Sequence, residues 1–156
     1  LLNHLVDKSN DAIYVVEPEY GHILNCNQLA HQRLGYSKDE LLKLSVSDLN
    51  SKFDIKERWN EHSKQIERQR NLVLESTHTR KDGTKIPIEA SISFIEYNQT
   101  AYLLAIVRDI SRRKQKELAA LELANLDPLT KLPNRRTLEN KLEKAFKILD
   151  NDEKGI

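Results

Sequence analysis

Apolar positions recur along this chain with two periods, and the changes between them mark its elements. Residues 1–8 allow a short helix with Leu2, Leu5 and Val6 on one side, ended by Ser9-Asn10-Asp11. Ala12 to Val16 is β-branched and aromatic, which predicts a strand. The turn residues Glu17-Pro18-Glu19-Tyr20-Gly21 then lead to a second strand, His22 to Cys26, so the two form a hairpin. Asn27 can cap a helix running to Leu34, where Gly35 supplies a left-handed end and Tyr36 the apolar residue beyond it. Ser37-Lys38-Asp39-Glu40 reads as a capping box opening a short helix through Leu44. Ser45 to Lys56 reads as irregular or single-turn helix. Glu57 to Arg70 is helical, with Trp59, His62 and Ile66 at 3-4 spacing. Three strands follow. Leu72 to Thr79 ends at an Asp82-Gly83 turn signal. In the next strand Ile86, Ile88, Ala90, Ile92 and Phe94 share one face, and Glu89, Ser91 and Ser93 the other, half-wet face. A turn near Asn98-Gln99 leads to the last strand, Tyr102 to Ile110. Two strands, helices, then three strands is an α+β pattern.

The period changes again at Asp109-Ile110-Ser111. Ser111 can N-cap a helix from Arg112 to Asn125 that contains neither Gly nor Pro. Its apolar seam is only Leu118 and Leu121, bounded by Lys114 and Asn125. Asp127-Pro128 breaks it, Thr130 to Pro133 is a turn, and Asn134 is the N-cap of a last helix, Arg135 to Leu149. There Leu138, Leu142, Ala145, Phe146 and Leu149 form a stripe, and Glu143 with Lys147 makes an i,i+4 pair.

Composition narrows the class. The 156 residues are 38% hydrophobic and 31% charged with a net charge of +1. That is a folded chain with some polar helix, and it gives no argument for a nucleic-acid surface. The single Cys26 allows no internal disulfide and fits a reducing, cytoplasmic compartment. The longest apolar run, Ala101 to Val107, is far short of the roughly 20 residues a membrane span needs. No signal peptide is visible, and the absence of Met leads us to expect a piece cut at both ends, with room for a membrane anchor upstream.

Two segments resemble known families. Asp127-Pro128-Leu129-Thr130-Lys131-Leu132-Pro133-Asn134-Arg135-Arg136 looks like the D-x-L-T-G-L-x-N-R-R opening of GGDEF domains, the diguanylate cyclases, with Lys131 at the commonest glycine. Arg108-Asp109-Ile110-Ser111 resembles the D-I-T end of PAS domains, and the run from Asn27 through Gly35-Tyr36-Ser37 to Glu40-Leu41-Leu42 resembles their early helices. The resemblance implies a PAS sensor over residues 1–111: one five-stranded antiparallel sheet with helices on one side. A connecting helix would follow over 112–126, and the start of a GGDEF domain over 127–156. It further implies a regulatory part of an enzyme that condenses two GTP molecules to cyclic di-GMP across a dimer, helped by Mg²⁺. That family's catalytic carboxylates would lie after Ile156, so no catalytic residue is carried onto this chain. The stripe of the last helix would face the cyclase sheet, which Lys154-Gly155-Ile156 would enter. The residues that would pass the signal are Asp109, Ile110, Ser111, Leu118, Leu121, Asp127, Thr130 and Asn134. A weak homodimer and a small-molecule ligand in the PAS core are expected partners. The alternatives are a ligand-free PAS dimerisation module, and the sensor of a degenerate GGDEF protein with a downstream phosphodiesterase.

Candidate metal and cofactor chemistry is thin. The histidines His4, His22, His31, His62 and His78 form no H-x3-H pair, and Cys26 has no cysteine partner. Haem-binding PAS domains use a helix histidine, but the corresponding position falls nearer Arg58 or Trp59. His62 therefore reads as a histidine packed beside Trp59. Flavin-binding PAS domains use a helix cysteine in an N-C-R-F-L-Q run. Here Asn25-Cys26-Asn27-Gln28 ends a strand, and Cys26 reads as an inward-facing core residue. No cofactor is expected in this chain.

Overall fold

The computed structural model describes residues 6–53, 56–127, 129–130, 132–135, 137–140 and 142–143. It divides into two compact units, Leu1–Ser111 and Arg112–Ile156. Of the expected first helix, Val6 and Asp7 are helical. Leu2 and Leu5 lie outside the described residues.

In the first unit, β1 (Ala12–Val16) and β2 (Ile23–Cys26) form the predicted antiparallel hairpin. His22 leaves that strand and forms an isolated bridge with Ser45. Ile23 N–H donates to Leu44 O at 3.1 Å and Val46 N–H to Gly21 O at 2.9 Å, so the hairpin is stitched to the segment after the capping box. This explains why α2 (Lys38–Leu41) stops before the predicted Leu44. Leu44 O is taken by Ile23 N–H and Ser45 by the bridge to His22, so the helix cannot run on through Leu44.

Helix ends follow side-chain chemistry. α1 (Gln28–Leu34) starts at Asn27 and ends at Gly35, whose φ of 76° lets its N–H and that of Tyr36 reach Gln32 O and His31 O, both at 3.1 Å. The capping box is formed: Glu40 N–H donates to Ser37 Oγ at 3.2 Å and Ser37 N–H to Glu40 Oε2 at 2.9 Å. Single-turn α3 (Val46–Leu49) and a 3₁₀ turn (Ser51–Phe53) fill the stretch expected to be irregular. α4 (Lys56–Gln69) buries Trp59, His62, Ser63 and Ile66 on one face. It docks on the β1–β2 turn, where Trp59 Nε1 and Ser63 Oγ both donate to Pro18 O, at 3.0 and 2.8 Å. A Cβ on Gly21, itself at φ 75°, would sit 3.0 Å from the Trp59 ring.

β3 (Asn71–Thr79), β4 (Lys85–Tyr97) and β5 (Thr100–Asp109) complete one antiparallel sheet of order β2-β1-β5-β4-β3. The β3–β4 turn closes through Arg80 N–H to Thr84 O at 2.8 Å, with Gly83 at φ 84°. In the two-residue β4–β5 loop Asn98 and Gln99 both have positive φ, which matches the twist of paired strands. The β3–β4 turn also closes α1: Lys81 N–H and Arg80 Nε donate to Leu34 O and Arg33 O, at 2.9 and 3.1 Å. The helices cover one sheet face, and the core lies between them. The other face is half wet at Ser91 and Glu89, as the alternation implies, but it is apolar across β1 and β5. There Ile13 pairs with Ile106 and Val15 with Leu104.

Asn27 does more than cap α1. It is 2% exposed, and its amide is fully used. Oδ1 accepts from Ile13 N–H (3.0 Å) and Ala30 N–H (3.1 Å), while Nδ2 donates to Val6 O and Asp11 O, both at 3.1 Å. Four backbone groups from three segments converge on one side chain. A buried backbone group left unpaired costs about 1–3 kcal/mol. Asn27→Ala is therefore expected to lower stability by at least about 2 kcal/mol in chemical denaturation. A loss no greater than a surface substitution causes, below about 0.5 kcal/mol, would contradict this role.

Candidate functional site

A cavity of about 60 Å³ lies between the inner sheet face and α4. β1 contributes Tyr14 and Val16. β5 contributes Leu103, Ala105 and Val107, and β4 Ile88, Ala90 and Ile92. α4 closes it with Trp59, His62 and Ile66, and β3 with Leu74, Ser76 and His78. None of its 19 lining residues is an Asp, Glu, Lys or Arg.

Six of the lining side chains carry polar atoms, of which Trp59 Nε1 is already spent on Pro18 O. Asn50 Nδ2 donates to Ser76 Oγ at 2.8 Å, and Asn50 Oδ1 accepts from Lys52 N–H at 3.1 Å. His62 stacks on Phe53 with centroids 4.4 Å apart and lies 5.9 Å from Trp59. Burial, reinforced by the Lys52 charge, lowers its pKa to about 4. Tyr14 and His78 meet edge to face at 6.0 Å. Burial also pushes the His78 imidazole down to about 4, with the Arg33 charge acting in the same sense, so it is neutral at pH 7. The Tyr14 phenol is raised above its ordinary value by the same desolvation and keeps its proton. Among the described residues, Tyr14 Oη is the one fully buried side-chain polar atom without a hydrogen-bond partner.

β5 carries the cavity wall out to the junction. Val107 O accepts from Arg33 Nη1 at 3.0 Å, and Arg108 makes two bonds to the Asp11 carboxylate, at 2.9 and 3.2 Å. Ile110 is buried, and its N–H donates to Pro87 O at 3.1 Å. α5 (Ser111–Ala124) begins at Ser111 itself, so Ser111 is not the residue before the helix. The acceptor is Asp109, whose Oδ1 takes Ser111 N–H at 2.8 Å. Although burial opposes ionisation, the two bonds to Ser111 and the charges of Arg33 and Arg80 hold the Asp109 carboxyl below its ordinary range.

Within the second unit, Leu118 and Leu121 are 59% and 62% exposed, and α5 has no buried residue. Asp127 Oδ1 accepts from Leu129 N–H at 2.9 Å and Thr130 N–H at 2.8 Å, forming the turn after the helix. Asn134 N-caps as expected, taking Thr137 N–H at 2.9 Å, and Leu126 bridges to Pro133. Of the predicted last helix, Leu138 and Leu142 are described and half exposed. Ala145, Phe146, Lys147 and Leu149 lie outside the described residues, as do Pro128, Lys131 and Arg136.

The signalling role of the junction residues rests on the sequence reading, and Tyr14, Asn50, Ser76 and His78 were not singled out there. A signal existed. Ser76 and His78 continue the inward parity of Leu72 and Leu74 on β3, which puts two polar side chains on an apolar face. His62 packs against Trp59, and Cys26 is buried with its thiol pKa raised by desolvation, both as read from the sequence. Among the described residues no group of three His, Cys, Asp or Glu could hold a metal ion, and no helix is long and apolar enough to cross a membrane.

The family model described as "PAS domain" matches residues 10–112. A curated relative, the methyl sulfide methyltransferase-associated sensor of Methanosarcina acetivorans, is 32% identical over 132 residues. The match takes in 82% of this chain but only 13% of that protein. Among solved structures, the PAS domain of an HTR-like protein from Haloarcula marismortui is similar at a TM-score of 0.64 and 27% identity, over 70% of this chain and 88% of that one. A PAS domain of a protein from Colwellia psychrerythraea gives 0.62 and 28%, over 70% and 94%.

The neutral histidines set a pH dependence. The folded pKa of His78 lies below its unfolded value, so the unfolded chain binds the extra proton first. The stability that neutrality contributes is complete above pH 6.5 and is lost as pH falls towards 4. For His78 this amounts to about 3 kcal/mol. Urea midpoints measured from pH 7 to 4.5 should fall, and His78→Phe should flatten part of that fall. An equal slope in the variant would contradict the burial of a neutral imidazole.

Proposed function

This chain belongs to the PAS domain family, and on that premise we propose that it is the sensory part of a cytoplasmic diguanylate cyclase. A small molecule in the core cavity changes β5. The change passes through Asp109, Ile110 and Ser111 into α5, and α5 sets the apposition of two cyclase domains. Those domains condense two GTP, with Mg²⁺, into cyclic di-GMP.

The observation that carries this reading is the double role of β5. One strand is both a wall of the cavity, through Leu103, Ala105 and Val107, and the segment joined to α5 by the single residue Ile110. The resemblance of residues 127–136 to the GGDEF opening supports the identity of the output. The capping by Asp127 and Asn134 gives that segment a defined turn between helices. The Methanosarcina relative is named as a sensor, which agrees with a signalling role. Weak pairing of two chains through Leu118 and Leu121 would follow from their exposure. A 14-residue helix is at the margin of stability in isolation, so association helps to hold it.

Two measurements test the reading. The longer polypeptide that carries this chain ahead of its cyclase segment should form cyclic di-GMP from GTP and Mg²⁺, as seen by chromatography. A folded preparation that forms none, or that only hydrolyses cyclic di-GMP, would contradict it. Sedimentation of this chain should show concentration-dependent association that weakens several-fold in Leu118→Ser with Leu121→Ser. Unchanged association would remove α5 as the coupling element.

A further inference from the structure

Resting on the core cavity as the sensory site, we propose that its ligand is a small uncharged molecule of about four to six heavy atoms whose carbonyl or ether oxygen accepts a hydrogen bond from Tyr14 Oη. Size comes from the cavity. Its 60 Å³ is space for water-sized centres, each of which takes about 10–15 Å³. Sites for drug-sized ligands and cofactors run to about 300–1,000 Å³, so flavin and haem are far too large for the cavity in this conformation.

Charge comes from the lining. No Asp, Glu, Lys or Arg side chain lines the space. The Arg33 guanidinium, whose charge reaches Tyr14 and His78, is committed to Val107 O at 3.0 Å and Asn10 O at 3.5 Å. Both lining histidines are neutral at pH 7. An ion would lose its hydration without gaining a counter-charge, which excludes carboxylates and amines.

The polar demand comes from the hydroxyls, Tyr14 above all. Tyr14 is 3% exposed and its Oη has no partner among the described residues. Such an orphaned hydroxyl is rare and costly in a native core, and it marks where a donor is still to be used. Ser76 Oγ already accepts from Asn50, and among the described residues its own proton has no acceptor. Asn50 and Ser76 are bonded to each other and both imidazoles lie against aromatic rings, so the unpartnered Tyr14 hydroxyl is the group that calls for an acceptor on the ligand. This goes beyond placing a ligand in the cavity, because it states what the ligand must carry.

The test uses three probes of similar size on the purified chain, followed by ¹H–¹⁵N NMR: 2-butanone, its hydrocarbon isostere 2-methyl-1-butene, and propionate. 2-Butanone should bind about tenfold more tightly than either of the others, the gain of one well-placed hydrogen bond. Tyr14→Phe should remove that advantage, so that 2-butanone binds no better than 2-methyl-1-butene. The variant's own spectrum reports that it is folded. If 2-methyl-1-butene binds as well as 2-butanone, or if Tyr14→Phe changes nothing, the cavity stands as a ligand site but the chemical class is overturned. Tighter binding of propionate overturns it too. If no probe shifts the resonances of the cavity residues, the sensory site falls together with the class.

Discussion

The amide of Asn27 is the constraint from which the first unit is built. It lies 2% exposed between β2 and α1, where water cannot replace a lost partner. Its four hydrogen bonds fix the lead-in at Val6, the start of β1 at Asp11 and Ile13, and the first turn of α1 at Ala30. Asn27 N–H adds a fifth bond, to Ile13 O at 3.0 Å. No other residue type supplies two donors and two acceptor lone pairs on so short a stem. Once β1 is set, it pairs with β5 in register from Ala12 with Val107 to Val16 with Leu103, and the rest of the sheet follows by hairpins.

That register has a functional consequence. It places Tyr14 opposite Ala105, a small residue, and leaves space beneath the phenol. A core would be more stable if this space were filled by methyl groups, because empty volume forfeits dispersion and an unpaired hydroxyl forfeits solvation. The sequence retains both. It also retains two neutral histidines, whose burial makes folding less favourable as the pH falls. Imperfect packing concentrated around one chamber, with a strand that continues out of it, is what the proposed response to an occupant requires.

Much of the fold could be read from sequence because its signals are local. The capping box at Ser37 and Glu40, the Gly35 helix end, the Asp82-Gly83 turn, and the Trp59–His62–Ile66 face each depend on residues within seven positions of each other. The cavity was not legible, because its chemistry is assembled from distant places. Tyr14 meets His78 and Asn50 meets Ser76 across strands and helices that periodicity treats one at a time. The hub role of Asn27 was half visible. Its cap bond to Ala30 follows from position, whereas its bonds to Val6, Asp11 and Ile13 span 14 to 21 residues. The end of α2 was misplaced for the same reason, since a long-range bridge to β2 overrode local helix preference.

The central claim is that occupancy of the cavity is felt at the start of α5 through β5. The most direct measurement follows the backbone amides from Leu103 to Ser111 while 2-butanone is titrated into the purified chain. The account predicts that Ile110 and Ser111, whose N–H groups are held by Pro87 O and Asp109 Oδ1, shift and saturate with the same dissociation constant as the Tyr14 amide. Changes confined to α4 and the Ser51–Phe53 turn, with Ile110 and Ser111 unmoved at saturation, would contradict it.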